Sequence, residues 1–218
     1  MKEGYVVSCF KYFCVFFFLF LFATGISWAH PHVFMDCHLE IYWKDGKPDM
    51  CKVVWIFDKF FSNDIISAYD QDKNGIFDEQ ETQLVYNNAF INLKNYYYFT
   101  FIRNDGSTTS PASVFDFEAS HSHGTMTYSF FVKLPPTSER KISIASYDYT
   151  YFCDIAYDKE QPVIFHCDES VQPQYTVYQD KNNPIYYNPL GAITDTRVYY
   201  EWQPGLQTYY PIEIVVTY

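Results

Sequence analysis

The chain has 218 residues, of which 22% are aromatic and 19% charged, and its net charge is −11. That composition supplies a large apolar core and excludes a wholly disordered chain. The acidic balance also argues against nucleic acid as a partner, because phosphate neutralisation needs a basic face.

The first 29 residues read as a secretory signal peptide. Lys2 and Lys11 precede the apolar run 15–23, and Ser27-Trp28-Ala29 has small residues at the two positions a signal peptidase reads. The run is short for a spanning helix, and the rival reading is an uncleaved anchor. Cleavage after Ala29 is expected, which implies a periplasmic or secreted protein and makes His30 the mature N-terminus. Removal of the signal takes Cys9 and Cys14 with it and leaves Cys37, Cys51, Cys153 and Cys167. Four cysteines in an exported chain suggest disulfides, with three possible pairings. A hairpin turning near 158–161 would set Cys153 opposite Cys167, so that bridge is favoured. Cys37 and Cys51 align less well, and buried free thiols are the other reading.

From His32 the chain alternates. Val33, Met35, Cys37, Leu39 and Ile41 point one way, and His32, Phe34, Asp36, His38 and Glu40 the other, as in a half-buried strand. Lys44-Asp45-Gly46-Lys47 signals a hairpin turn, and 50–57 returns as a second strand. A helix is predicted over 59–69 and another from Glu79 to about Lys94. Strands follow at 96–103, 112–118, 124–134, 141–146, 150–157 and 162–167. Residues 170–211 read as long loops and 212–218 as a closing strand. The fold class is α+β: a β-rich domain over 30–170 carries a helix–loop–helix insert at about 58–95. A loop-rich extension occupies 171–218.

Between the two helices lies Asp70-Gln71-Asp72-Lys73-Asn74-Gly75-Ile76-Phe77-Asp78-Glu79-Gln80-Glu81, the twelve-residue pattern of an EF-hand loop. Asp70, Asp72 and Asn74 offer side-chain oxygens at alternate positions. Gly75 permits the sharp bend, and Ile76 offers its carbonyl. Asp78 acts directly or through water, and Glu81 closes the site with both oxygens. A hard cation such as Ca²⁺ takes six to eight such oxygens. EF-hand loops usually pair, and this chain has one, so strands must buttress it.

Six histidines are present, four of them in the His-x-His pairs His30/His32 and His121/His123. On a strand this spacing puts both rings on one face, roughly 6–7 Å apart. Imidazole suits Zn, Ni, Co and Cu. A mature N-terminal His30 adds its α-amine, the chemistry of a copper brace. A square-planar amino-terminal site is disfavoured because Pro31 has no N–H. Asp36 and Asp148 are carboxylate candidates, so the transition-metal set is His30, His32, His121, His123, Asp36 and Asp148. The competing reading is a set of surface histidines. No nucleophile elbow, HExxH or CxxC appears, and no catalytic residue is assigned.

His-Pro-His-Val-Phe-Met-Asp directly after the signal resembles the start of the DUF1007 family of exported bacterial proteins. Ser146-Tyr147-Asp148-Tyr149-Thr150-Tyr151-Phe152-Cys153-Asp154 looks like that family's later motif, with Tyr149 where a proline is usual. The segments 96–100 and 130–135 are also similar, so the resemblance covers roughly 30–167. It implies a periplasmic metal-binding accessory of a nickel/cobalt-type inner-membrane permease. His30, His32 and Asp36 fall on the opening motif, and Asp148 and Asp154 on the later one. The functional expectation is a non-enzymatic accessory for Ni, Co, Zn or Cu transport, with Ca²⁺ in the acidic loop in a mainly structural role. Its rivals are a Ca²⁺-dependent adhesion module and a copper enzyme with an N-terminal histidine brace.

Overall fold

The computed structural model describes residues 31–191 and 197–218; the expected signal peptide and His30 lie outside them. Strand β1 (Val33–Lys44) has the alternation read from sequence, with Val33, Met35, Cys37, Leu39 and Ile41 buried and Phe34 and Asp36 exposed. Asp45-Gly46, at φ 52° and 73°, turns the chain into β2 (Lys47–Phe57). Two successive positive φ values define the type I′ turn, whose twist matches antiparallel strands. The same device joins β3 (Thr100–Asn104) to β4 (Ser107–Thr109) at Asp105-Gly106. It also joins β5 (Phe115–Ser122) to β6 (Thr125–Lys133) at His123-Gly124.

β1 sits inside a six-stranded sheet of order β5-β6-β2-β1-β8. Its second edge is divided between two parallel partners. Val33–Cys37 pair with β8 (Cys153–Tyr157), and residues 39–42 pair with β9 (Val163–His166). β8 and β9 therefore follow one another along a single edge and are not the arms of a hairpin. This corrects the expected Cys153–Cys167 bridge. Cys153 lies opposite Val33, whereas His166, just before Cys167, lies opposite Tyr42. That stretch of strand is roughly 30 Å long. The four described cysteines are free thiols, and Cys37, Cys51 and Cys153 are buried. Burial pushes the Cys37 thiol up to about 12, against the lowering effect of Ser146 and Trp55.

The second sheet has the order β10-β13-β7-β3-β4, with β7 (Lys141–Ser146), β10 (Gln174–Gln179) and β13 (Ile212–Thr217). The two sheets share one core. Ile102, Ile142, Ile144, Ile214 and Val216 of the second pack with Leu39, Val53, Trp55 and Phe130 of the first. The buried Trp55 indole N–H donates to Ser146 Oγ at 3.3 Å, a polar link across that core. The expectation of loops over 170–211 is corrected by β10 and by the small two-stranded antiparallel sheet of β11 (Ile185–Tyr187) and β12 (Gln207–Tyr209). All six residues of β10 are exposed, so it has no buried face to signal it.

The helical insert lies between β2 and β3. Helix α1 (Lys59–Tyr69) packs on β6, and α2 (Glu79–Asn88) packs on β5. Asp58 caps α1 through the N–H groups of Phe60 and Phe61, and its other oxygen accepts from the Phe34 N–H of β1 at 2.9 Å. Burial raises the Asp58 carboxyl, but these backbone bonds outweigh it and hold it below the usual carboxylate value. The second helix ends at Asn88 rather than near Lys94, and a 3₁₀ stretch (Phe90–Phe99) follows. Within it Tyr97, Tyr98 and Phe99 have positive φ, at a cost of about 1–2 kcal/mol for each residue with a Cβ. Burial of Tyr98 and Phe99 opposes that cost, and the kink delays β3 to Thr100. Among the described residues no helix is long and apolar enough to cross a membrane.

Arg103 of β3 holds the C-terminal segment. Its guanidinium meets Asp180 at 2.5 Å and also Glu213, both carboxylates buried, and Glu213 accepts from Ser143 as well. Burial raises the Asp180 carboxyl. Hydrogen bonds from Asn183 and Asn182 and the Arg103 charge outweigh that, and its pKa is lowered from 3.8. A depressed carboxyl pKa stabilises the fold above the unfolded value and loses that contribution as pH falls through the folded one. Arg103→Ala leaves two buried carboxylates unpaired and should cost about 3 kcal/mol at neutral pH, measured by urea denaturation. The deficit relative to the parent should shrink as pH falls below 3.8, the ordinary Asp value, through the lower folded value of Asp180.

Candidate metal centre

Helix α1 ends by turning Asp70 inward. The Asp70 N–H donates to Ile66 O, and its carboxylate is almost fully buried. Gly75 adopts φ +85°, where a Cβ would be strained, and its N–H donates to Asp70 Oδ2 at 3.2 Å. Asp72 accepts from the Asn74 N–H at 3.0 Å, and Asn74 Oδ1 accepts from the Ile76 N–H at 2.8 Å. Phe77 is buried in the main core and anchors the loop to it. Asp78 then caps α2 in a reciprocal box: it accepts from the Glu81 N–H at 2.8 Å, and Glu81 Oε2 accepts from the Asp78 N–H at 3.1 Å. Glu81 Oε1 accepts from the Gln71 N–H at 2.6 Å, which ties the end of the loop back to its start.

This winding brings one carboxylate oxygen each from Asp70, Asp72 and Glu81 within 4.8 Å of one another. Asp70 and Glu81 are buried, and Asp72 is exposed. Three anionic groups at that separation repel unless donors or a cation compensate. Of the other expected ligands, Asn74 and Asp78 use a side-chain oxygen in the turn and the cap, and the Ile76 side chain faces solvent.

The histidine candidates are dispersed. His121, on β5, is 7% exposed at its side chain, and its Nε2 lies 3.5 Å from Asp70 Oδ2. The Phe77 ring meets it edge-on with centroids 4.8 Å apart. His123 lies in the turn beyond β5 at φ 51°, so the pair does not share a strand face. Its Nδ1 is 2.9 Å from Ser122 Oγ, and its carbonyl accepts from Lys59 Nζ. His32 stacks on Phe152 with centroids 4.9 Å apart, and its N–H donates to the Phe152 carbonyl at 2.8 Å. Asp36 lies exposed on β1.

Asp148 is buried and engaged. Oδ1 accepts from the Thr150 N–H and hydroxyl, both at 2.8 Å, and Oδ2 accepts from the N–H groups of Phe152 and Cys153, both at 3.1 Å. Burial raises its pKa, with these bonds opposing. The carboxylate holds the turn that sets Phe152 beside His32. Asp148 also borders an apolar cavity of about 260 Å³ walled by Trp55, Phe90, Phe99 and Tyr128. Among the described residues, His32, Asp36, His121, His123 and Asp148 form no group of three that could share an ion. The contact between His121 and Asp70 was not foreseeable from spacing, because strand pairing brings β5 to the loop.

Comparison with known proteins bears on this fold as a whole. The family model described as "Protein of unknown function (DUF1007)" matches residues 15–218. The chain is also 29% identical over 143 residues to the "Uncharacterized 15.5 kDa protein in trpE 3'region" of Spirochaeta aurantia, a match spanning 65% of this chain and all of that protein. No solved structure matches. The family match runs beyond 167 to the last residue, in keeping with a terminal strand, β13, that pairs with both β10 and β7. Since the match takes in every described element of both sheets and the helical insert, the chain belongs to the DUF1007 family.

Proposed function

We propose that this is an exported divalent-cation-binding protein whose loop 70–81 holds Ca²⁺ in the manner of an EF-hand. The ion would fix the helical insert against the first sheet. The observation that carries this reading is the convergence of Asp70, Asp72 and Glu81 within 4.8 Å on a loop that bends at Gly75. Two oxygens on opposite sides of a Ca²⁺ ion, each at about 2.4 Å, are about 4.8 Å apart, so the three fit one coordination sphere. Asn74, the Ile76 carbonyl and Asp78, through a water, would complete it. Occupancy would relieve the mutual repulsion of the carboxylates and tie the end of α1 to the start of α2.

A second reading is a transition-metal site (Zn, Ni, Co or Cu) at the mature N-terminus, serving an inner-membrane metal permease. One contact favours it: the bond from His32 to Phe152 brings the start of β1 to the turn built on Asp148.

Added to metal-free protein, Ca²⁺ at about a hundredfold over its Kd should stabilise the fold by about 2.7 kcal/mol, read as a rise in Tm. Glu81→Ala should abolish that rise. A parent protein whose Tm ignores Ca²⁺ would rule out the loop reading. For the second reading, a residue added before the natural His30 should weaken Cu²⁺ or Ni²⁺ binding, and so should His32→Ala. Unchanged affinity in both would remove it.

A further inference from the structure

We infer that the cavity of about 260 Å³ beside Asp148 is a binding site for an uncharged aromatic molecule of one or two rings. Three parts of the chain meet around it. Met35 and Trp55 come from β1 and β2, Phe90 and Phe99 from the segment after α2, and Tyr187 and Tyr199 from the C-terminal part. Native cores leave few voids larger than a water molecule, so an opening of this size between aromatic walls is not ordinary packing. A dry apolar cavity of about 150 Å³ takes benzene, and 260 Å³ leaves room for two fused rings. Arg197, which is exposed, also borders the cavity, so the cavity reaches the surface on that side.

The chemistry of the walls selects the class of ligand. Asp148 is the buried carboxylate at the cavity, and it already accepts from the Thr150 N–H and hydroxyl and from the N–H groups of Phe152 and Cys153. A carboxylate has about four acceptor sites. Asp148 therefore has none left for an ammonium group or a water, and its charge repels an anion. Burial raises the Tyr96 hydroxyl and the Cys153 thiol above their ordinary values, with Asp148 adding to both, so these two wall groups stay uncharged. A water held in a cavity needs about two to four polar partners, which the aromatic rings do not supply. Such walls take another ring edge-on or offset-stacked. The backbone is bent where it forms one of them. Tyr97, Tyr98 and Phe99 adopt φ of 58°, 49° and 46°, and Tyr96 and Phe99 both border the cavity. Left-handed residues with a Cβ cluster at ligand-binding sites. The rival is a cavity that holds only water. None of the described wall residues belongs to loop 70–81, so this inference stands apart from the cation reading.

The test titrates the mature chain by calorimetry with three probes of one shape: naphthol, which is uncharged at neutral pH, naphthoate and naphthylmethylammonium. Naphthol should bind one to one with a Kd of about 100 μM or tighter, and with a negative heat-capacity change. The anion and the cation should bind more weakly by about tenfold or more, because the cavity strips their hydration without pairing them. Ala89→Phe and Ala89→Leu add bulk at the wall from the end of α2 and should weaken naphthol by about tenfold or more. The smaller Ala89→Leu covers the case in which Ala89→Phe fails to fold. In the parent, the ring protons of bound naphthol should show nuclear Overhauser contacts to the methyl groups of Met35 and Leu93. No binding of any probe, binding of a charged probe as tight as that of naphthol, undiminished binding in both variants, or contacts away from the cavity would overturn the inference.

Discussion

Strand β1 has no free edge, and most of the molecule follows from that. Its antiparallel partner β2 takes one side, and β8 and β9 divide the other. Five side chains on one face are buried in the common core, so a slip of one residue would drive Asp36 and His38 into apolar surroundings. The register is transmitted further by Asp58. One oxygen satisfies the first turn of α1, and the other binds Phe34 on β1. The helical insert is thus indexed to the central strand before any ion is considered.

The insert itself combines firm anchors with one electrostatic conflict. Phe90, fully buried, packs against Phe117 of β5 and Phe130 of β6, with centroids 4.2 Å and 5.1 Å apart. Phe77 pins the loop, and the reciprocal cap between Asp78 and Glu81 starts α2. Between these anchors three carboxylates converge, with Asp70 3.5 Å from the buried imidazole of His121. Backbone N–H groups from Gly75, Gln71 and Asn74 meet part of that charge. One divalent cation would meet the rest and tie the end of α1 to the start of α2.

Much of this was legible locally. The alternation of β1, the Asp45-Gly46 turn, both helix starts and the acidic loop depend on neighbours within a few residues, and periodicity or turn chemistry displays them. What escaped is non-local. The stretch 153–167 does contain two strands, but both pair with β1 in parallel, and no local pattern distinguishes that from a hairpin. β10 has no buried face, so its Tyr and Val residues look like loop. The kink at 97–99 has left-handed residues without glycine, against local preference, and the burial of Tyr98 and Phe99 that opposes its cost is tertiary. In the candidate site, the three carboxylates could be anticipated from the loop pattern. The His-x-His pair could not be placed correctly, because the type I′ turn at His123-Gly124 breaks the strand between its members.

The central claim is that a cation at loop 70–81 fixes the helical insert against the first sheet. Amide hydrogen exchange on the metal-free chain, with and without saturating divalent cation, addresses it directly. The account predicts slower exchange across 59–88 and around 119–125 on cation addition, with the second sheet, 141–146 and 212–217, unaffected. Exchange that is the same in both states throughout 59–88, or slowed uniformly over the whole chain, would contradict it.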